Sequence, residues 1–170
     1  SDTVWNLTQL PRRLLVLGGG PIGCELAQAF GRFGSEVTIV DKAPSILNRE
    51  DHDVQTLIAD RLQHEGIRII TNATAKRFFE DRDGKVAICM TPQGEVKITF
   101  DVVLLALGRK AHAKGFGLEE LGVRLENHGT IEHDDFMRTN IPNIYCVGDV
   151  AGPYQFTHVA AHQAWYAAVN

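Results

Sequence analysis

Gly18, Gly20 and Gly23 stand in the spacing G-x-G-x-x-G, directly behind the apolar run Leu14-Leu15-Val16-Leu17. A helical pattern opens at Pro21, and the acid Asp41 closes the next apolar run. These residue types in this order can hold a dinucleotide. Gly18 allows a tight turn out of a buried strand. Gly20, having no Cβ, lets backbone approach a pyrophosphate. Gly23 lets helix and strand pack closely, and Ala27 one turn on keeps that face small. A helix that starts with Pro21 and Ile22 offers free N–H groups and a partial positive charge to phosphates. Asp41 can accept hydrogen bonds from a ribose diol. Lys42 beside it and Ala75, further along, complete the candidate nucleotide contacts.

Positioning those residues requires an ordinary soluble domain. The chain has 170 residues, 44% of them hydrophobic and 22% charged, enough for one core or two small ones. Its net charge of −4 comes with no basic stripe, which argues against nucleic acid as a partner. The longest apolar run, Val102 to Leu107, is too short to span a bilayer, so no membrane association is expected. Ser1 to Leu10 lacks the basic start and apolar core of a signal peptide, and the cytoplasm is the expected compartment. Cys24, Cys89 and Cys146 are odd in number and form no C-x-x-C pair. That argues against a disulfide scaffold and a cysteine zinc site. Cys24, in the first helix, and Cys146, in an apolar run, read as buried, inert thiols.

The elements follow from periodicity. A helix is predicted from Pro21 to Phe33, with Ile22, Leu26, Ala29, Phe30 and Phe33 as its apolar stripe and Gly34 as its stop. A strand over Glu36–Val40 follows. Next comes a helix capped by Asp51 with Val54, Leu57, Ile58 and Leu62 on one face, then a strand over Ile67–Ile70. This β-α-β-α-β unit has right-handed crossovers. Three strands then replace the next helix: Ala75–Glu80, Lys85–Met90 and Glu95–Phe100, turning at Asp83-Gly84 and Gln93-Gly94. Val102–Leu107 reads as a buried parallel strand. A boundary falls after Arg109. Beyond it come a helical turn near Leu118–Leu121, weak strand signals to Asp134, a strand over Ile144–Val147 ending in Gly148-Asp149, and a helix over Thr157–Val169. The expected class is α/β: a Rossmann-like parallel sheet with an antiparallel meander crossover in residues 1–109, and a separate segment in 110–170.

A meander-interrupted Rossmann unit followed by strand–Gly–Asp resembles the flavin-dependent pyridine nucleotide-disulfide oxidoreductases. Within them it looks most like the dihydrolipoamide dehydrogenase and mercuric reductase branch. The resemblance rests on Gly18-Gly19-Gly20-Pro21-Ile22-Gly23-Cys24-Glu25, on Ala106-Leu107-Gly108-Arg109, on the run Arg138 to Asp149, and on Gln155-Phe156-Thr157-His158-Val159-Ala160. It implies that Gly18 to Gly23 cradle NAD(P) and that Gly108 brings backbone near the nicotinamide nucleotide. It implies that residues 110–170 are the returning segment of an FAD-binding domain. There Asp149, after Gly148, binds the ribityl chain, and Thr157 and His158 open a helix aimed at the flavin. Glu25 reads either as facing the flavin–nicotinamide region or as a solvent-facing helix glutamate. His158 and His162, at i and i+4, read as a metal pair or, more simply, as packing and flavin-side residues. Two positions depart from the family. Pro21 stands where a tyrosine gate over the flavin is common, and Gly108-Arg109-Lys110-Ala111-His112 replaces Gly-Arg-x-Pro-Asn.

The function so implied is the NAD(H)-binding part of an enzyme that moves hydride between NAD(P)H and FAD, and on to a disulfide or similar acceptor. The chain reads as a piece of a longer flavoprotein that forms a homodimer through a domain not included here. Alone it is expected to bind rather than catalyse. NAD is favoured over NADP, because NADP-using relatives place arginine at Asp41 and near Leu47, although Lys42 and Arg49 lie close by. Two other readings use the same motif: a stand-alone NAD-binding or sensing domain, and a dehydrogenase acting directly on a small substrate.

Overall fold

The computed structural model describes residues 3–82 and 84–169. The expected turn residue Asp83 lies outside them. The chain forms two compact units, one ending at Gly108 and the other starting at Arg109.

The first unit contains β1 (Arg13–Leu17), α1 (Pro21–Arg32), β2 (Glu36–Val40), α2 (His52–His64) and β3 (Arg68–Ile70). Next come β4 (Thr74–Asp81), β5 (Gly84–Thr91), β6 (Gly94–Phe100) and β7 (Val102–Leu105). Strands β3-β2-β1-β7 pair in that order, all parallel, and β4-β5-β6 form an antiparallel meander. This is the α/β class with the meander crossover that the sequence predicts.

Three layers result because β1 is apolar on both sides. Leu14 and Val16 face the helices, in a cluster with Cys24, Ala27, Ile39 and Leu62. Leu15 and Leu17 face the meander, against Ala87, Cys89, Ile98 and Phe100. Each fully buried leucine or valine contributes roughly 1.5–3 kcal/mol. The alternation inside a continuous apolar run is what a strand covered on both faces requires.

The helices bury less than their apolar residues suggest. Helix α1 turns Gly23, Cys24 and Ala27 inward, while Phe33 is 73% exposed and Ile22 also lies at the surface. The predicted stripe is therefore offset. Gly23, Ala27 and Gly31 recur every fourth residue and form a smooth face that can approach the sheet. A Cβ on Gly31 would already sit 3.4 Å from Ile67. On α2 only Leu62 is buried, and Leu57 is 68% exposed. Asp51 precedes α2 but makes no side-chain cap bond. Strand β7 stops at Leu105. The Ala106 N–H makes one last bond to the Leu17 carbonyl, and Leu107 is exposed.

The second unit carries α3 (Thr157–Val169) and a 3-10 turn over Gly148–Val150. Its small core is Ala113, Val123, Ile131, Cys146 and Ala151. The predicted strand over Ile144–Val147 is not formed. Tyr145 makes one isolated bridge to Arg138, and Leu125 makes another to Ile131. The backbone of 139–146 bonds locally instead, Thr139 N–H to Ile144 O and Cys146 N–H to Met137 O. Near Leu118–Leu121 the expected turn is present, with the Leu121 N–H donating to the Gly117 carbonyl at 3.3 Å.

Glu65 ties the ends of α1 and α2 together. Its carboxylate accepts both Arg32 guanidinium N–H groups at 2.9 and 2.8 Å, Arg61 at 2.6 Å and Gln28 at 3.2 Å. The Arg32 hydrogen bonds, with help from Arg61, hold this carboxyl at about 2, down from 4.5. A carboxylate whose pKa falls on folding stabilises the fold above its unfolded value, and that stability disappears as pH drops through the folded value. Glu65→Gln is therefore expected to lower the thermal midpoint at pH 7. The gap to wild type should shrink between pH 4.5 and about 2. Melting curves across that range check it.

Candidate functional site

The carboxyl ends of β1, β2 and β7 meet at the glycine turn. Gly18 has φ +106°, and a Cβ there would overlap the Ala106 carbonyl oxygen. A Cβ on Gly23 would overlap the Gly18 carbonyl oxygen. Both glycines are thus demanded by the fold itself, for backbone touches backbone. Gly20 differs. Its φ is −75°, which any residue adopts, and a Cβ built there meets nothing within 4 Å. The protein does not need glycine at this position. It faces open space immediately before α1, whose N-terminus no side chain caps. The first-turn N–H groups are therefore available to an anion, and Pro21 occupies the position that has no N–H to offer. A diphosphate fits this bare, positive cradle.

Asp41 stands beside it. The Asp41 N–H donates to the Ile70 carbonyl, which fixes the residue at the end of β2. Its Oδ2 accepts the Gly19 N–H at 2.5 Å and its Oδ1 accepts the Ala43 N–H at 2.7 Å. Each oxygen keeps a second lone pair for a hydroxyl. Lys42, Glu25 and Pro21 are exposed, and Ile22 projects at the surface of the same helix start. Ala75 packs its methyl against the meander-side cluster and pairs with Cys89. Gly108 is exposed with φ +112°, two residues past Ala106. The structure thus gathers Gly18, Gly20, Pro21, Ile22, Gly23 and Asp41 around one turn.

Two contacts here escaped sequence reasoning. Ile46 is 1% exposed and packs under Gly19, and the Leu47 N–H donates to the Gly19 carbonyl at 2.7 Å. Their signal is an apolar pair inside an otherwise polar loop.

In the second unit Gly148 has φ +78°, and its N–H donates to Gln163 Oε1 at 2.7 Å. Asp149 accepts Arg109 Nη1 at 3.1 Å, and the same nitrogen lies 3.5 Å from the Gln155 carbonyl. This pair is also new relative to the sequence reading. Thr157 and His158 open α3 and are exposed, and His158 stacks on Phe156. No residue of α3 is buried, and Phe156, Trp165 and Tyr166 are all largely exposed. His162 packs toward Tyr166. Among the described residues no group of three or more metal-ligating side chains comes together.

The three cysteines are buried and free. Burial, with Asp41 and Glu25 nearby, pushes the Cys24 thiol up to about 11, and burial alone does the same to Cys146. Neither is a nucleophile at neutral pH. A cleft of about 390 Å³ lies at the opposite, amino ends of the strands, lined by Arg13, Glu36, Arg68 and Lys97 among others. Arg13 there is paired with Asp101 and Lys97 with Asp81.

Residues 1–164 match the family described as pyridine nucleotide-disulphide oxidoreductase. The chain belongs to that family. Among curated proteins it is similar to dihydrolipoyl dehydrogenase of Chlamydia trachomatis serovar D, 37% identical over 170 residues, covering 100% of this chain and 36% of the relative. The Bacillus subtilis dihydrolipoyl dehydrogenase is 39% identical over 168 residues, covering 99% and 36%. Among solved structures, the HOCl-induced flavoprotein disulfide reductase RclA from Escherichia coli superposes with a TM-score of 0.85 at 34% identity, over 96% of this chain and 36% of that one. LpdA from Mycobacterium tuberculosis gives a TM-score of 0.85 at 28% identity, over 96% and 35%. The chain therefore spans little more than a third of the length of these relatives.

The glycine geometry separates structure from binding. Gly23→Ala should cost the fold at least about 2 kcal/mol through backbone overlap. Gly20→Val should change stability by less than about 1 kcal/mol, because its side chain enters open space, yet abolish nucleotide binding. Denaturation and NADH titration of both variants check this.

Proposed function

We propose that the chain is the pyridine-nucleotide-binding part of a flavin-dependent oxidoreductase that passes hydride between NAD(H) and FAD, and on to a disulfide or similar acceptor. One observation carries the reading. Gly20 is a glycine that neither backbone conformation nor packing requires, placed at an uncapped helix N-terminus. Its bareness makes sense once a pyrophosphate lies against it. Pro21, Ile22 and Gly23 then present the first turn of α1, and Asp41 takes the adenosine ribose. Gly108 is read as approaching the remaining parts of the nucleotide, and Ala75, whose methyl packs in the meander-side cluster, as offering backbone alone. The nicotinamide, when bound, supplies the hydride. Glu25, on an exposed turn of α1, is read as facing that end of the nucleotide. Lys42 flanks Asp41.

The second unit is read as the returning segment of the flavin domain. Support comes from Asp149, which has one oxygen on Arg109 and the other left to accept a ribityl hydroxyl. The exposed start of α3 at Thr157 and His158 suits the edge of a flavin, where a helix N-terminus favours negative charge. An apolar helix with no buried residue suits a segment that packs on further protein. The whole enzyme is read as a cytoplasmic homodimer, joined through sequence beyond these residues. Three free thiols suit a reducing compartment. Among the described residues no helix is long and apolar enough to cross a membrane.

Asp41 sets the nucleotide preference. A 2′-phosphate beside it meets like charge, and Leu47 offers no guanidinium to offset that. NADH is expected to bind about tenfold more tightly than NADPH, or about 1.4 kcal/mol. Calorimetric titration tests this, and equal or reversed affinities count against it.

The flavin half of the proposal has its own check. The 170 residues carry a single G-x-G-x-x-G, so the adenine and pyrophosphate half of FAD has no second cradle here. The chain is expected to purify colourless and to take up FAD only weakly while still binding NADH. Absorbance in the flavin band, before and after incubation with excess FAD, checks it. Tightly held, stoichiometric flavin would contradict this division of the site.

A further inference from the structure

Gly19 is one of the unspecified positions of the G-x-G-x-x-G spacing, yet both of its backbone groups are gripped by the loop after β2. Its N–H donates to Asp41 Oδ2 at 2.5 Å. Its carbonyl accepts the Leu47 N–H at 2.7 Å and the Cys24 thiol at 3.4 Å. Leu47 reaches this bond from a left-handed φ of +51°, which a leucine adopts only under constraint. Ile46 fills the space beneath, so closely that a Cβ on Gly19 would sit 2.7 Å from its Cγ2 and 3.3 Å from Asp41 Oδ2. The other Asp41 oxygen accepts the Ala43 N–H at 2.7 Å and holds the carboxylate in place.

We propose that Asp41 is a positioning residue for the phosphate-binding turn, acting through Gly19, in addition to its place as ribose acceptor. The proposal rests on the dinucleotide reading of the site. By drawing the Gly19 N–H inward, the carboxylate fixes the Gly18–Gly19 peptide plane, while the Leu47 N–H on the Gly19 carbonyl fixes the next plane, which leads into Gly20 and α1. A hydrogen bond to a charged acceptor is among the stronger kinds, and a carboxylate accepts without donating. Nucleotide choice and turn geometry are therefore set by one side chain. Arginine at this position, the change that would meet a 2′-phosphate, donates only and removes the acceptor that seats the turn.

The test uses the ¹⁵N-labelled chain, first free and then with ADP and 2′,3′-dideoxy-ADP as probes. The second probe lacks both hydroxyls that a ribose acceptor could read. In the free chain the Gly19 amide should exchange slowly. Asp41→Ala should speed its exchange by about tenfold, whereas Asp41→Asn, which keeps an acceptor oxygen, should recover part of the protection. Asp41→Ala should also weaken dideoxy-ADP by about fivefold or more, an effect that reading the diol alone cannot produce. Unchanged Gly19 protection or unchanged dideoxy-ADP affinity in Asp41→Ala overturns the proposal. If Asp41→Ala does not fold, the Gly19 amide shift in Asp41→Asn decides: an upfield move supports the clamp and no move overturns it. If neither probe binds wild type, the dinucleotide reading fails, and Gly19 exchange in the free chain still judges the clamp.

Discussion

The first unit depends on backbone lying against backbone at the glycine turn. Gly18 leaves β1 with positive φ against the Ala106 carbonyl, and Gly23 on α1 closes onto the Gly18 carbonyl. Any side chain at either position would push α1 away from the sheet. The close approach continues along the helix through Ala27 and Gly31, so α1 packs by its small residues while its large ones stay at the edge. Its consequence is electrostatic. A helix seated so near the strand ends delivers its uncapped N-terminus to the carboxyl edge of the sheet, where parallel register also places the end of β2 beside that of β1. Asp41 follows directly from that register.

The second unit is built on different terms. Five small or medium apolar residues form its core, and much of its order comes from local hydrogen bonds in loops. Gly148 is held between Ala160 and Gln163 of α3, and Asp149 is held by Arg109. Helix α3 therefore has a defined start at the Gly-Asp turn while its own apolar faces remain uncovered in this chain. The Arg109–Asp149 pair thus fixes a carboxylate at the turn of a unit with little core.

Steric necessity was the readable part of the sequence. Glycines spaced for a strand–turn–helix admit few alternatives, so the turn, β1, α1 and the acid after β2 were legible. So was the meander, which Gln93-Gly94 and β-branched alternation announce. Helix faces were less so. Phe33 and Leu57 fit an apolar stripe by spacing, but small residues decided which side of α1 meets the sheet, and the Glu65 cluster rather than Leu57 joins the end of α2 to α1. Ile144–Val147 has strand composition, yet its backbone bonds are taken by residues 137–141, and propensity gives way to that local closure. The grip of Ile46 and Leu47 on Gly19, and the Arg109–Asp149 pair, depend on contacts between distant residues that spacing does not encode.

The central claim is that a dinucleotide lies across the glycine turn at the carboxyl edge of the parallel sheet. Amide chemical-shift mapping during an NADH titration addresses it most directly. The account expects saturable shifts concentrated at Gly18, Gly20, Ile22, Gly23 and Asp41, extending to Gly108. Shifts centred instead on the cleft at the amino ends of the strands, around Arg13, Glu36, Arg68 and Lys97, or no saturable shifts at all, would contradict it.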